Sequence, residues 1–216
     1  DMYYPVTQKV KPLSSNQIYL SYTKNYTEKK VLLTIEIYQK WLNNLIEFRE
    51  GTKVFLDNNF EDKLVRGTGS SAGIEFLLRK DEGKIFGWIS YTFAVTTRQF
   101  DSINSGEMFY ARNDRRHNFS AVGIAKLNDK WDLSASWTYM NGARFTPVIG
   151  QYLMPNASNT SIEVIPIFAD KNSVEMSPVH RLDVNFTYKP HIGKNKRFKT
   201  EWQIGFYNLY NRASPY

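Results

Sequence analysis

The chain has 216 residues, no cysteine and a net charge of +7 from 28 basic and 21 acidic side chains. The missing cysteines exclude a disulfide scaffold, a thiolate zinc site and a cysteine nucleophile. Hydrophobic residues at 42% and charged ones at 23% exclude a disordered tail and a collagen-like repeat, and the excess is aromatic, at 15%.

No apolar run approaches the roughly 20 residues that a membrane helix needs. The mean hydropathy is negative, yet this does not exclude a membrane. A transmembrane β-barrel is apolar outside and polar inside, so each strand averages out near neutral. The start, Asp1-Met2-Tyr3-Tyr4-Pro5, lacks the basic and apolar regions of a signal peptide. The basic charges are scattered and the aromatics alternate, so nucleic acid is not an expected partner.

Period-2 alternation dominates, in segments longer than the ~5–6 residues of ordinary strands. Residues 17–25 put Ile18, Leu20 and Tyr22 on one face. In residues 30–42, Val31, Leu33, Ile35 and Ile37 oppose Thr34, Glu36, Tyr38 and Lys40. The continuation to Phe48 reads two ways. Trp41, Leu42, Leu45 and Ile46 have helical spacing, and they also fit a strand that runs on. Residues 71–79 alternate Ala72, Ile74, Phe76 and Leu78 with Gly73, Glu75 and Arg79. Residues 84–97 alternate Ile85, Ile89, Tyr91, Phe93 and Val95 with Ser90, Thr92, Ala94 and Thr96. In residues 116–127, Phe119, Val122 and Ile124 change parity, which suggests a bulge. Residues 130–141, 180–190 and 197–210 complete the series, with Leu133, Ala135 and Trp137, then Leu182, Val184 and Phe186, then Trp202, Ile204 and Phe206 on their apolar faces. The total is about eight strands.

Links alternate between short and long. Residues 25–29, 80–83, 128–129 and 191–196 are short, whereas 43–70, 98–115 and 142–179 are long. Outer-membrane barrels have this asymmetry, with tight periplasmic turns and long extracellular loops. Trp41, Tyr91, Trp131, Tyr139, Tyr188 and Trp202 fall near strand ends, where aromatic girdles sit. The fold class expected is therefore all-β, a transmembrane antiparallel β-barrel.

Eight strands can close a small barrel. The link pattern instead places Asp1 and Tyr216 both on the extracellular side, unlike a closed small barrel, and Asn211-Arg212-Ala213-Ser214-Pro215 reads as a turn. An open sheet edge is not tolerated in lipid. Further strands from a longer polypeptide are therefore expected.

A set of motifs resembles the C-terminal barrel of Bacteroidetes TonB-dependent outer-membrane receptors. It comprises Gly73-Ile74-Glu75-Phe76, Gly87 to Thr92, Arg98-Gln99-Phe100 with Asp101 and Asn104-Ser105-Gly106, Ala111 to His117, Trp131 to Ala135 with Gly142, His180 to Asp183, and Tyr207 to Arg212. The resemblance runs from Pro5 to Tyr216. It implies that residues 1–216 are a partial C-terminal barrel domain, about eight strands of a 22-stranded barrel whose plug domain lies outside this sequence. It further implies a receptor in the Gram-negative outer membrane that binds a scarce nutrient outside the cell and imports it with energy from the TonB–ExbB–ExbD complex. Outer-membrane lipid, lipopolysaccharide and a surface lipoprotein are the other implied partners. A passive porin or structural barrel, and a soluble secreted β-rich binding module, are the alternatives.

No enzyme site, cofactor or metal motif is expected, since His117, His180 and His191 lack ligand spacing. The cluster Arg112, Asp114, Arg115, Arg116 and His117 reads as a strand-initiating motif held by Arg–Asp pairing, a lipopolysaccharide contact or a ligand clamp. In the long 142–179 link, Arg144, Phe145, Tyr152 and Phe168 join Arg112 as ligand-facing candidates. Glu75, Arg79, Arg98, Arg181, Asp183, Asn185 and Lys189 would line the lumen wall that meets the plug. Two roles are open to them: plug packing, or a salt-bridge set that rearranges when TonB pulls.

Overall fold

The computed structural model describes residues 7, 10–48, 51–52, 60–155, 161–190 and 200–213. The chain start, His191, the 191–196 link, the tip of the first long link and the end at Tyr216 lie outside the described residues. Among the described residues thirteen strands follow in order: β1 Ser14–Tyr26, β2 Val31–Phe48, β3 Leu64–Lys80, β4 Ile85–Phe100, β5 Phe109–Tyr110, β6 His117–Lys126, β7 Trp131–Met140, β8 Arg144–Phe145, β9 Val148–Pro155, β10 Ile162–Phe168, β11 Val174–Glu175, β12 Val179–Tyr188 and β13 Trp202–Phe206.

Eight of these form one antiparallel meander in the order β1-β2-β3-β4-β6-β7-β12-β13, with β5 on the edge of β4. Among the described residues the sheet is open, with β1 and β13 at its edges. Side chains alternate across a strand, so the register sorts them into two faces. Cross-strand rows such as Leu20–Ile37–Ile74–Phe93 and Ile89–Ala121–Trp137–Leu182 make one face apolar. The rows Ser21–Glu36–Glu75–Thr92 and Ser120–Thr138–Arg181 make the other polar. The apolar face is solvent-accessible, with Ile18, Leu20 and Ile37 each more than half exposed. A water-soluble sheet would cover such a face with a second layer, whereas a membrane barrel turns it to lipid.

One open reading resolves and two expectations are revised. The 40–48 segment is strand, and its helical spacing has a local cause. The β2–β3 register shifts between Leu42 and Leu45, where Asn44 has φ +57°. This bulge inserts a residue and flips parity. Leu42 and Leu45 therefore both approach Gly69 on the polar face. In contrast, β6 pairs without interruption on both sides. Its parity change arises because Val122 and Ile124 stand on the polar face beside Trp88 and Phe86. The last strand is shorter than 197–210 and ends at Phe206. Asn208 and Asn211 then take φ +51°, a conformation that asparagine tolerates better than most residues. The turn they form caps the upper edge of β12, where the Leu209 N–H donates to the Leu182 carbonyl at 2.7 Å.

The tightest packing lies at the long-link end. Phe100, at 1% exposure, packs with Ile103 and Phe109, and Leu45 and Val65 close over them. The sheet itself has little core because each face is one residue deep.

Candidate functional site

The links after β4 and β7 meet in their described residues. They interlock through polar contacts at one end of the sheet. Asp114, whose side chain is fully buried, is the hub. Its Oδ1 accepts the Thr96 N–H at 2.7 Å, and its Oδ2 accepts from Arg144 Nε at 3.3 Å and lies 3.5 Å from Arg116 Nε. A buried carboxylate is tolerable when it is paired and hydrogen-bonded in this way. Both guanidiniums lie over the Tyr110 ring, Arg116 at 4.4 Å and Arg144 at 4.3 Å from its centroid. Arg144 continues to Glu175 at 3.5 Å, and Glu175 accepts from Asn141 Nδ2 at 2.7 Å.

A second set of bonds ties the 141–178 link to the link after β4 and to the end of β2. The Asn104 side chain accepts from the Lys171 N–H at 2.7 Å and donates to the Lys171 carbonyl at 3.3 Å. Lys171 Nζ reaches the Phe48 carbonyl and Glu47, and Glu47 also pairs with Arg98 at 3.2 Å. Asn172 Nδ2 donates to the Tyr110 carbonyl at 3.0 Å. The link thus spans from β7 to the end of β2, passing the intervening strands, and builds a fixed shelf on the polar side.

The ligand-facing candidates do not converge on one point. Arg112 is exposed, and its carbonyl accepts the Arg144 N–H at 2.9 Å. The Arg144 side chain is committed to Asp114 and Glu175. Phe145 pairs with Val174. Tyr152 stands exposed on the β9–β10 hairpin, and Phe168 ends that hairpin beside Gly51. The hairpin also presents Ile149, Leu153 and Ile162, each more than 60% exposed.

The seven wall residues share the polar face. Glu75 stands opposite Glu36, which accepts from Ser21 at 2.9 Å. Arg79 pairs with Asp81 at 2.8 Å. Arg181 pairs with Asp183 at 2.9 Å and stacks on Tyr207 at 4.3 Å, while Asp183 also accepts the Asn208 N–H. Asn185 donates to Thr187. Lys189 donates to Asp132 at 2.6 Å, and this bond holds its ammonium pKa above the ordinary 10.5. The roles of Glu175, Asn104, Lys171, Asn172 and Glu47 had no local signal, because each partner is distant in sequence.

All six girdle aromatics stand on the apolar face. Trp131 and Tyr188 stack at 4.6 Å near the short links, with Trp202 next in register. Near the long links, Tyr91, Phe119, Tyr139 and His180 form one row. The Tyr210 hydroxyl accepts from Trp137 Nε1 at 3.2 Å and shares a hydrogen bond of 2.7 Å with His180 Nδ1.

An antiparallel meander with an apolar outside, a polar inside, aromatic bands and all long links at one end defines the wall of a transmembrane β-barrel. The chain belongs to the TonB dependent receptor-like, beta-barrel family, whose model matches residues 1–211. The family's members are transport receptors of the Gram-negative outer membrane. Among solved structures, the chain is similar to the closed form of the ferric-catecholate import receptor Fiu from K12 E. coli. The TM-score is 0.58 at 15% sequence identity, over 95% of this chain. The chain spans 24% of the length of Fiu. No curated protein matches.

Proposed function

We propose that this chain is part of the barrel wall of an active import receptor, with its long links outside the cell and its polar face toward a plug. In this reading TonB, energised by ExbB and ExbD, supplies the work, and a scarce nutrient is the cargo. The observation that carries it is the shelf. The two long links after β4 and β7 are locked together by Asp114, Arg144, Asn104 and Lys171, and Lys171 also reaches the end of β2, at one end of an otherwise bare wall. Such ordering suits a receptor, which needs a preorganised surface that binds before it transports. The motifs from Gly87 to His117 and from Tyr207 to Arg212 support a Bacteroidetes source.

Arg112, Tyr152 and the exposed hairpin side chains offer cationic, aromatic and apolar contacts. Such a set suits a ferric catecholate, as named for Fiu, a glycan or a peptide. A surface lipoprotein is a further candidate partner of the hairpin.

The test is growth of cells on a single scarce nutrient from each class, with the full-length gene deleted, and again with tonB deleted. Loss of growth on one nutrient in both strains supports the reading. Loss only in the receptor deletion favours a passive porin. Full-length protein that stays dispersed without detergent removes both membrane readings.

A further inference from the structure

Near the short links the apolar face contains a hollow of about 360 Å³. Leu78, Ile89, Trp137 and Leu182 stand around it, and Gly87, Gly123 and Ala135 lie across its floor as one cross-strand row. Gly87 has an internal reason to be glycine. Its φ is +144°, and a Cβ there would sit 2.0 Å from the Val122 carbonyl oxygen. Gly123 has none: a Cβ built on it meets nothing within 4 Å, and its φ is not in the left-handed region. A strand-interior glycine weakens the strand, so the space above Gly123 is open without any need of the chain's own packing.

Two further observations say what the hollow takes. The aromatic band at this end is interrupted above it. Outward-facing residues at the short-link ends are Tyr26 on β1, Trp131 on β7, Tyr188 on β12 and Trp202 on β13, whereas β2 has Val31, β3 Lys80, β4 Ile85 and β6 Ala125. Lys80 lines the hollow, is exposed, and has no ion pair among the described residues. The apolar trough therefore opens at headgroup depth onto an unneutralised ammonium, the complement of an acyl chain joined to a phosphodiester.

We infer that this groove is a binding site for one anionic glycerophospholipid of the periplasmic leaflet, its acyl chain over Gly123 and its phosphate against Lys80. The inference rests on the outer-membrane orientation proposed above.

The test uses full-length receptor, purified in detergent and stripped of lipid. It is mixed in turn with phosphatidylglycerol, phosphatidylethanolamine and lipid A, and retained lipid is counted by native mass spectrometry. Wild type is expected to retain one phosphatidylglycerol. Gly123→Phe, which fills open space, should weaken retention about tenfold or more. Lys80→Gln should abolish the preference over phosphatidylethanolamine. Leu20→Phe, on the apolar face of β1 away from the groove, should change nothing. Equal retention by wild type and Gly123→Phe overturns the site, as does loss in Leu20→Phe as well. Gly123-dependent retention of lipid A alone overturns the leaflet. A protein that needs no detergent would instead signal failure of the barrel reading itself.

Discussion

Asp114 and Arg144 come from two different long links, and the Asp114 Oδ2 accepts from Arg144 Nε at 3.3 Å with the carboxylate fully buried. The pair is the joint between the link after β4 and the link after β7. Removing Asp114 takes the shared carboxylate from both Arg116 and Arg144 and leaves only Glu175 beside Arg144; breaking a buried pair in this way costs about 3–5 kcal/mol. Asp114→Ala in the full-length receptor is expected to lose about that much in urea unfolding. Adding Arg144→Gln should cost little more, because the two share one interaction. Independent, additive losses would mean that the joint does not couple the links.

The two glycines of one register pair separate strain from space. Gly87 faces Gly123 across β4 and β6. Gly87→Ala drives a Cβ into the Val122 carbonyl oxygen, so a loss of about 1–3 kcal/mol is expected. Gly123→Ala meets nothing within 4 Å and should gain about 0.5–1 kcal/mol from a less flexible unfolded chain. Unfolding midpoints of the two variants in the same vesicles decide the matter. Equal effects would contradict the local geometry.

Much of the wall was readable from residues alone because alternation has a period of two and depends on nothing distant. Leu182, Val184 and Phe186 against Asp183 and Asn185 is such a case, and the register places them on opposite faces. Legibility failed where a local insertion or a distant partner decides. The Leu42–Leu45 bulge imitates helical spacing, since one added residue turns two leucines to the same face. The long-link shelf was opaque for the second reason. Nothing near Asn104 announces Lys171, because that contact is made by folding and not by spacing. Arg144 was legible as important, but its bond to Asp114 shows a holding role that its loop position did not disclose.

Facing can be tested directly at Val184 and Asn185, adjacent residues on opposite faces of β12. Arginine at Val184 would face lipid, and near the midplane this costs roughly 2–4 kcal/mol. Arginine at Asn185 would face the polar side and should cost far less. The measurement is urea unfolding of each variant of the full-length receptor in phospholipid vesicles. Equal tolerance at the two positions would reject the assignment of faces.

Lys189 gives a pH signature at the short-link end. Its hydrogen bond to Asp132 raises the ammonium pKa above 10.5. A raised lysine pKa contributes stability that is full below the unfolded value and lost as pH rises through the folded value. The contact should therefore hold through neutral pH and fail only beyond 10.5. Isotope-labelled lysine followed by NMR should show the Lys189 midpoint falling toward the ordinary value in Asp132→Asn. An unchanged midpoint would mean that the bond is not formed in solution.

Orientation is tested by two inserted epitopes. Residue Ser158 lies outside the described residues, in sequence between Pro155 at the end of β9 and Ile162 at the start of β10. Asp129 lies in the tight turn between β6 and β7, where Asn128 Oδ1 accepts from the N–H groups of Lys130 and Trp131. With the long links outside, a tag at Ser158 should bind antibody on intact cells. A tag at Asp129 should be silent until the outer membrane is opened. It should also lower the yield of folded barrel, because the Asn128 bonds leave that turn no slack. If the Asp129 tag alone were seen on intact cells, the wall would be inverted. The two faces would survive inversion, since they follow from register alone. The shelf as a first point of contact for external cargo would not, because it would then open to the periplasm.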